Sequence, residues 1–299
     1  MHYRAIFSMT LAAVLGLSTV AATAADEPAK GAALQDIVYT KAGGAELKLD
    51  VARPAAKEGL FPCVVVIHGG AWRAGDKKDM RGIASEFAKR GYVAVAPQYR
   101  FCPKEAFPAQ VHDVKAAVRW IKTNAKTYQV DPERIGAMGF SAGGHLSLML
   151  GLTSAKDGLE GETSAGAPDS RVKAVVNYFG PTDLTAKDFG AVSKGLIKDF
   201  LGGTAEEKPE AALKASPLSF VSSDDAPVLT FQGTKDPLVP YSQAIKLADA
   251  MHKAGVAGRV EIMVGAQHGW TGAELDRTIK ETFEFFDRHL KPAPAANKR

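Results

Sequence analysis

Hydrophobic positions change their rhythm along this chain. In "AELKLDVARP", Leu47, Leu49 and Val51 alternate with Glu46, Lys48 and Asp50. That period of two marks a strand with one face toward water. With "LQDIVYT" before it and a glycine pair between, the segment predicts an antiparallel hairpin. The alternation then stops. "CVVVIH", "YVAVAPQ", "RIGAMGF", "VKAVVNYF", "PVLTFQG" and "GRVEIMVG" are short runs rich in valine and isoleucine. Strands covered on both faces read this way, as in a parallel sheet.

Helical spacing fills the gaps between those runs. "MRGIASEFAKRG" ends on the glycine expected after a helix C-terminus. "PAQVHDVKAAVRWIKTNA" puts Val111, Val114, Val118 and Ile121 on one face. "SQAIKLADAMHKAG" and "LDRTIKETFEFFDRHL" follow the same pattern. Strand and helix alternating after a hairpin predict an α/β fold: a mostly parallel central sheet with helices on both faces. Two segments break the alternation. Residues 154–170 read as a polar surface loop. Residues 182–225 form an insertion with helix-like pieces, read as a small cap, since long insertions are often lids over a site. No repeat and no linker divides the chain, so one domain over 25–299 is expected.

The first residues follow a different logic. "MHYR" is a short basic start, an apolar alanine-rich stretch follows, and "ATA" at Ala22 to Ala24 fits cleavage before Ala25. Residues 1–24 are therefore expected to be a signal peptide, with the mature chain periplasmic or secreted and without a stable membrane anchor. A membrane anchor is the competing reading, and the stretch is short for a span. The net charge is only +4 and no like-charge run occurs, which argues against a nucleic-acid partner.

Export permits a disulfide, yet the two cysteines, Cys63 and Cys102, fall at opposite ends of neighbouring strands if those strands are parallel. A six-residue strand spans about 20 Å, against a bridging limit of roughly 7 Å. Two free thiols are expected. Neither has metal-ligand spacing to a histidine, so no metal site is expected.

The candidate chemistry centres on "GFSAG", Gly139 to Gly143, which lies between the strand "RIGAM" and the helix "AGGHLSLMLGL". Strand, sharp turn and helix are the context a nucleophile elbow requires, with small residues around the strained serine. Ser141 is thereby the candidate nucleophile, at the C-terminal edge of the sheet where such folds bind ligands. A hydroxyl needs a base. Of seven histidines, His2 belongs to the leader, His112 and His252 sit within helical patterns, and His289 ends the last helix. His145 is a turn beyond Ser141 and His68 belongs to a glycine loop. His268, in a loop directly after a strand, is the candidate base. Asp236, in the turn after "PVLTFQG", is the candidate acid that orients it. Asp183 in "FGPTDL" is the rival, better suited to shaping the turn into the cap.

Attack by a serine creates an oxyanion that N–H groups must stabilise. Ala142 supplies one by its position. The loop "HGGAWRAGDK", residues 68–77, follows a buried strand and would supply the others from Gly70 and Ala71. Trp72, exposed-looking in the sequence, is a candidate substrate-binding wall or a cover for the sheet edge.

These pieces, with "PQYR", "DPERIGAMGFSAGGHLS", "YFGPTDL" and "DPLVPYSQA", resemble the α/β-hydrolase esterases, and most of all the exported bacterial group that includes bifunctional feruloyl and acetyl-xylan esterases. The resemblance implies a serine carboxylic-ester hydrolase acting through an acyl-enzyme on short-chain acyl or hydroxycinnamoyl esters, on small molecules or on a polysaccharide such as xylan, without a cofactor. Departures exist: Ala71 stands where hormone-sensitive-lipase-like esterases carry a third glycine, and Phe140 where they carry an aspartate. Kynurenine formamidases share the His68–Trp72 pattern, making a small-molecule carboxylesterase or amidase the alternative, and a non-catalytic binding module on the same scaffold is the remote one. "RFCPKEAFP" carries Cys102 and Lys104 where relatives more often show other residues.

Overall fold

The alternating segment folds back on itself as expected. β1 (Ala33–Ala42) and β2 (Ala45–Ala52) pair antiparallel in this computed structural model, which describes residues 33–56, 58–163 and 165–291. The leader of 1–24 lies outside the described residues. Leu47, Leu49 and Val51 are buried and Glu46 is exposed. Asp50 departs from the alternation: it is buried too, between Lys77 Nζ at 2.6 Å and Arg81 Nε at 2.8 Å.

Six further strands follow: β3 (Phe61–Ile67), β4 (Val93–Pro97), β5 (Val130–Phe140), β6 (Val175–Tyr178), β7 (Val228–Gly233) and β8 (Gly258–Met263). Their order in the sheet is β1-β2-β4-β3-β5-β6-β7-β8, with β2 antiparallel to β4 and every later pair parallel. The valine runs are two-faced. Val64 and Val66 enter one core with Phe87, Phe283 and Phe286, while Cys63, Val65 and Ile67 enter the other with Val111, Val114 and Leu146.

Helices α1 (Arg81–Lys89), α2 (Ala109–Thr123) and α3 (Ala142–Leu152) come first along the chain. The insertion carries α4 (Ala191–Leu201) and the short α5 (Pro209–Lys214), and α6 (Ser242–Ala254) and α7 (Ala273–Leu290) follow; a single helical turn at Ala125–Tyr128 precedes β5. α1 and α7 cover one face; α2, α3 and α6 cover the other. The four aliphatics on the stripe of α2 are fully buried, each stabilising the fold by roughly 1.5–3 kcal/mol. Every residue of α3 is buried, so this helix is covered all round rather than striped.

Residues 154–170 are less solvated than their polarity implies. Glu160 bridges Lys115 and Arg119 of α2, both at 2.7 Å, and Leu159 and Ser170 are buried. Cys63 and Cys102 are both free and buried. No helix among the described residues is long and apolar enough to cross a membrane.

Candidate active site

β5 delivers the chain to a turn that few sequences could make. Ser141 has φ 55° and ψ −120°, a strained conformation for a residue with a side chain. A Cβ on Gly143 would lie 2.1 Å from the Ile67 carbonyl oxygen, and one on Gly139 would lie 2.3 Å from the backbone of Gly143. Bulk at either position would force β5, β3 and α3 apart.

The structure brings Ser141, His268 and Asp236 together. Ser141 Oγ lies 2.8 Å from His268 Nε2, and His268 Nδ1 lies 2.7 Å from Asp236 Oδ2. The Asp236 side chain is fully buried, and its other oxygen accepts the N–H groups of Leu238 and Val239 at 2.8 and 2.9 Å. Because a carboxylate accepts only, His268 donates through Nδ1 and presents a bare Nε2 to the serine hydroxyl. The Phe179 ring packs 4.7 Å from the imidazole.

Asp183 is elsewhere. It accepts from Thr185 and Lys246. Burial raises its pKa, but those partners outweigh it and hold the carboxyl below its ordinary value. His145 is buried in α3, with Nδ1 toward Trp72 and Nε2 toward the Ala215 carbonyl oxygen.

The loop after β3 adopts three consecutive left-handed residues: Gly70 at φ 111°, Ala71 at 53° and Trp72 at 57°. Arg73 and Ala74 N–H donate to the Gly70 carbonyl oxygen, and Cys102 N–H donates to that of Trp72, each at 3.0 Å. These bonds use none of the N–H groups of Gly70, Ala71 or Ala142. His68 is packed beneath the loop, stacked on Tyr99 at 4.4 Å, and burial lowers its pKa. Trp72 is not exposed: it is 4% accessible, because Phe200 of α4 stacks on it at 4.2 Å. It nevertheless lines the cavity, so one side chain both covers the sheet edge and walls the site.

That cavity measures about 410 Å³. Ser141 and His268 open into it. Phe189, Leu196 and Ile197 of the insertion line it together with Leu238 and Val239 of the loop after β7, and Asp79, Met80 and Phe140 line it as well. Among the described residues no lysine or arginine lines it. Among the described residues no cluster of three His, Cys, Asp or Glu could hold a metal ion.

Three supporting residues escaped the sequence. Gln232 donates to Asp236, Phe179 packs on His268, and Lys77, inside the glycine loop's own motif, is a buried cation between Asp36 and Asp50. A long polar side chain in a strand buried at every position is a signal for Gln232; nothing local marks Lys77.

A serine, a histidine and a buried aspartate at the C-terminal edge of this sheet define an α/β-hydrolase with a serine-hydrolase arrangement. The chain belongs to the BD-FAE family, whose model matches residues 49–251. It is similar to the esterase LipQ of Mycobacterium tuberculosis, 32% identical over 228 residues that cover 74% of this chain and 53% of the relative. The chain thus spans about half the length of that relative. Among solved structures it resembles a truncated carbohydrate esterase from gut microbiota, with a TM-score of 0.75 and 27% identity, covering 88% of this chain and 100% of the other. The propionate-bound esterase Est2 of Thermogutta terrifontis has a TM-score of 0.73 and 26% identity, with 88% and 97% covered.

Proposed function

We propose that this protein is an exported serine carboxylic-ester hydrolase acting through an acyl-enzyme on short-chain acyl or hydroxycinnamoyl esters, acetyl and feruloyl groups on xylan included. The observation that carries the reading is the unbroken chain of Ser141 Oγ, His268 and Asp236 at 2.8 and 2.7 Å, opening into an apolar cavity. Esterase names among the relatives and a carbohydrate esterase among the structural neighbours point the same way.

In this mechanism Ser141 Oγ attacks the ester carbonyl as His268 Nε2 takes its proton. Asp236 holds the imidazole in the required tautomer and stabilises its cation. The oxyanion is held by Ala142 N–H and the N–H groups of Gly70 and Ala71, where loss of one donor typically costs ~10²–10³ in rate. His268 then protonates the departing alcohol, the acyl-enzyme remains on Ser141, and water repeats the sequence to release the acid. The cap-side aromatics and aliphatics suit a small or flat apolar acyl group.

The experiment is acetate and ferulate release from acetylated, feruloylated arabinoxylan, with p-nitrophenyl acetate alongside. Ser141→Ala should lower kcat roughly 10⁴-fold or more. Release by the wild type alone supports the polysaccharide reading. Activity on the small ester only would leave an esterase of small molecules. Full activity in Ser141→Ala would end the proposal.

A further inference from the structure

His145 sits where three elements that need not move together are joined. It lies one turn beyond Ser141 in α3, and its own N–H donates to the Ser141 carbonyl oxygen at 3.0 Å. Its ring is fully buried. Trp72 Nε1 lies 3.1 Å from Nδ1, and the Ala215 carbonyl oxygen, at the end of cap helix α5, lies 2.7 Å from Nε2. An indole nitrogen can only donate and a carbonyl can only accept. The imidazole is therefore neutral, with its proton on Nε2. Phe200 of α4 stacks on Trp72 and meets the His145 ring edge-on at 5.5 Å, closing the cluster from the cap side.

We propose that His145 is a positioning residue for the esterase reaction, fixing the oxyanion loop in register with the nucleophile helix and the cap. The inference rests on the serine-esterase reading above. Ala71 and Trp72 are both left-handed, a conformation costing roughly 1–3 kcal/mol that persists only where surroundings enforce it. The indole bond is such a constraint, one residue from Ala71 and two from Gly70. Without an acceptor at position 145 the buried indole N–H is left unpaired, and the loop gains by turning away. The donors then miss the oxyanion while the walls formed by Phe189, Leu196, Ile197, Leu238 and Val239 remain. The loss therefore falls on kcat rather than KM.

The test measures kcat and KM on p-nitrophenyl acetate, with thermal melts, for wild type, His145→Leu, His145→Gln, Trp72→Phe and the double variant His145→Leu/Trp72→Phe. His145→Leu and Trp72→Phe should each lower kcat about 10- to 100-fold with KM changed less than about threefold, as expected for misplaced donors. Glutamine offers an oxygen to the indole and an N–H to Ala215, so His145→Gln should recover most of the loss. The double variant should be no worse than the poorer single one, since both remove the same bond.

Wild-type kcat in folded His145→Leu or Trp72→Phe overturns the proposal, as does a loss that glutamine fails to repair. Trp72→Phe keeps a ring against Phe200 and removes the N–H, so it decides the matter if His145→Leu does not fold. A wild type inert both to the ester and to a serine-directed phosphonate overturns the esterase reading and this inference with it. A reactive wild type matched in rate by Trp72→Phe overturns this inference alone.

Discussion

Gln232 donates its side-chain amide to Oδ2 of Asp236 at 3.1 Å, the same oxygen that receives His268 Nδ1–H. The amide is itself fixed, donating also to the Val239 carbonyl oxygen at 2.9 Å. Gln232 thus limits how the carboxylate can rotate beneath the imidazole. Removing one such charge-assisted bond should weaken transition-state stabilisation by about 1.5 kcal/mol, or roughly tenfold in kcat. Gln232→Leu should show that loss, Asp236→Asn a larger one, and His268→Ala one larger still. Asp183→Asn, whose carboxylate is held by Thr185 and Lys246, should leave kcat near the wild-type value. A more damaging Asp183→Asn would move the acid to that residue.

Acid should unfold this protein partly through His145. Burial is the main cause that lowers its pKa from 6.5 to about 4, with the Ala215 carbonyl acting the other way. Between these values the unfolded chain binds a proton that the folded chain refuses, so stability rises with pH across that window. Its contribution is complete above about pH 6.5 and is lost as pH falls toward 4, a change of a few kcal/mol at about 1.4 kcal/mol per unit. Melting temperature measured from pH 7 to 4 should fall, and the fall should be shallower in His145→Gln. Equal slopes would exclude His145 as the titrating group.

Both thiols should be silent in the folded protein. Cys63 and Cys102 are free and at most 3% accessible, and burial pushes the Cys102 thiol up to about 11 and Cys63 higher still. A thiolate is the reactive form. Iodoacetamide on the unreduced native chain should modify neither residue in minutes, and both after unfolding in guanidinium. A single modified site, or none, after unfolding would contradict two free thiols.

Charge should steer substrate choice. Asp79 lines the cavity and, among the described residues, no lysine or arginine does, so a carboxylate on the ester meets repulsion without a fixed cation to pair with. Against a neutral ester of equal size, an anionic one should show kcat/KM lower by about tenfold, the scale of one like-charge contact in a partly wet site. Asp79→Asn should narrow the gap. An anionic ester turned over as fast as the neutral one would refute this role for Asp79.

Much of the fold was legible because its signals are local. The period-two pattern of 46–51, the valine runs and the stripe of α2 each depend on neighbours a few positions away, and all became the expected elements. "GFSAG" was legible for the same reason: the need for small residues at Gly139 and Gly143 is a property of one turn. What stayed hidden depends on distant partners. Lys77 reads as a surface charge until Asp36 and Asp50 arrive from the hairpin. Trp72 reads as exposed until Phe200 arrives from the insertion. Glu160 makes a polar loop into an anchor only because α2 presents Lys115 and Arg119. Nor does any local pattern say that β2 runs antiparallel along β4.

The hydrogen bond between Ser141 and His268 joins positions 127 residues apart. The strained turn itself is tied to β6, where the Tyr178 carbonyl oxygen accepts the Ser141 N–H at 2.8 Å, yet the hydroxyl has no partner until β8 has docked and the loop after it has closed. Contacts of such long range are among the slowest to form. Recovered ester cleavage after dilution from denaturant is thus a stopwatch for the final step of assembly, one that fluorescence from Trp72, set into its cluster by residues well before β8, would reach sooner.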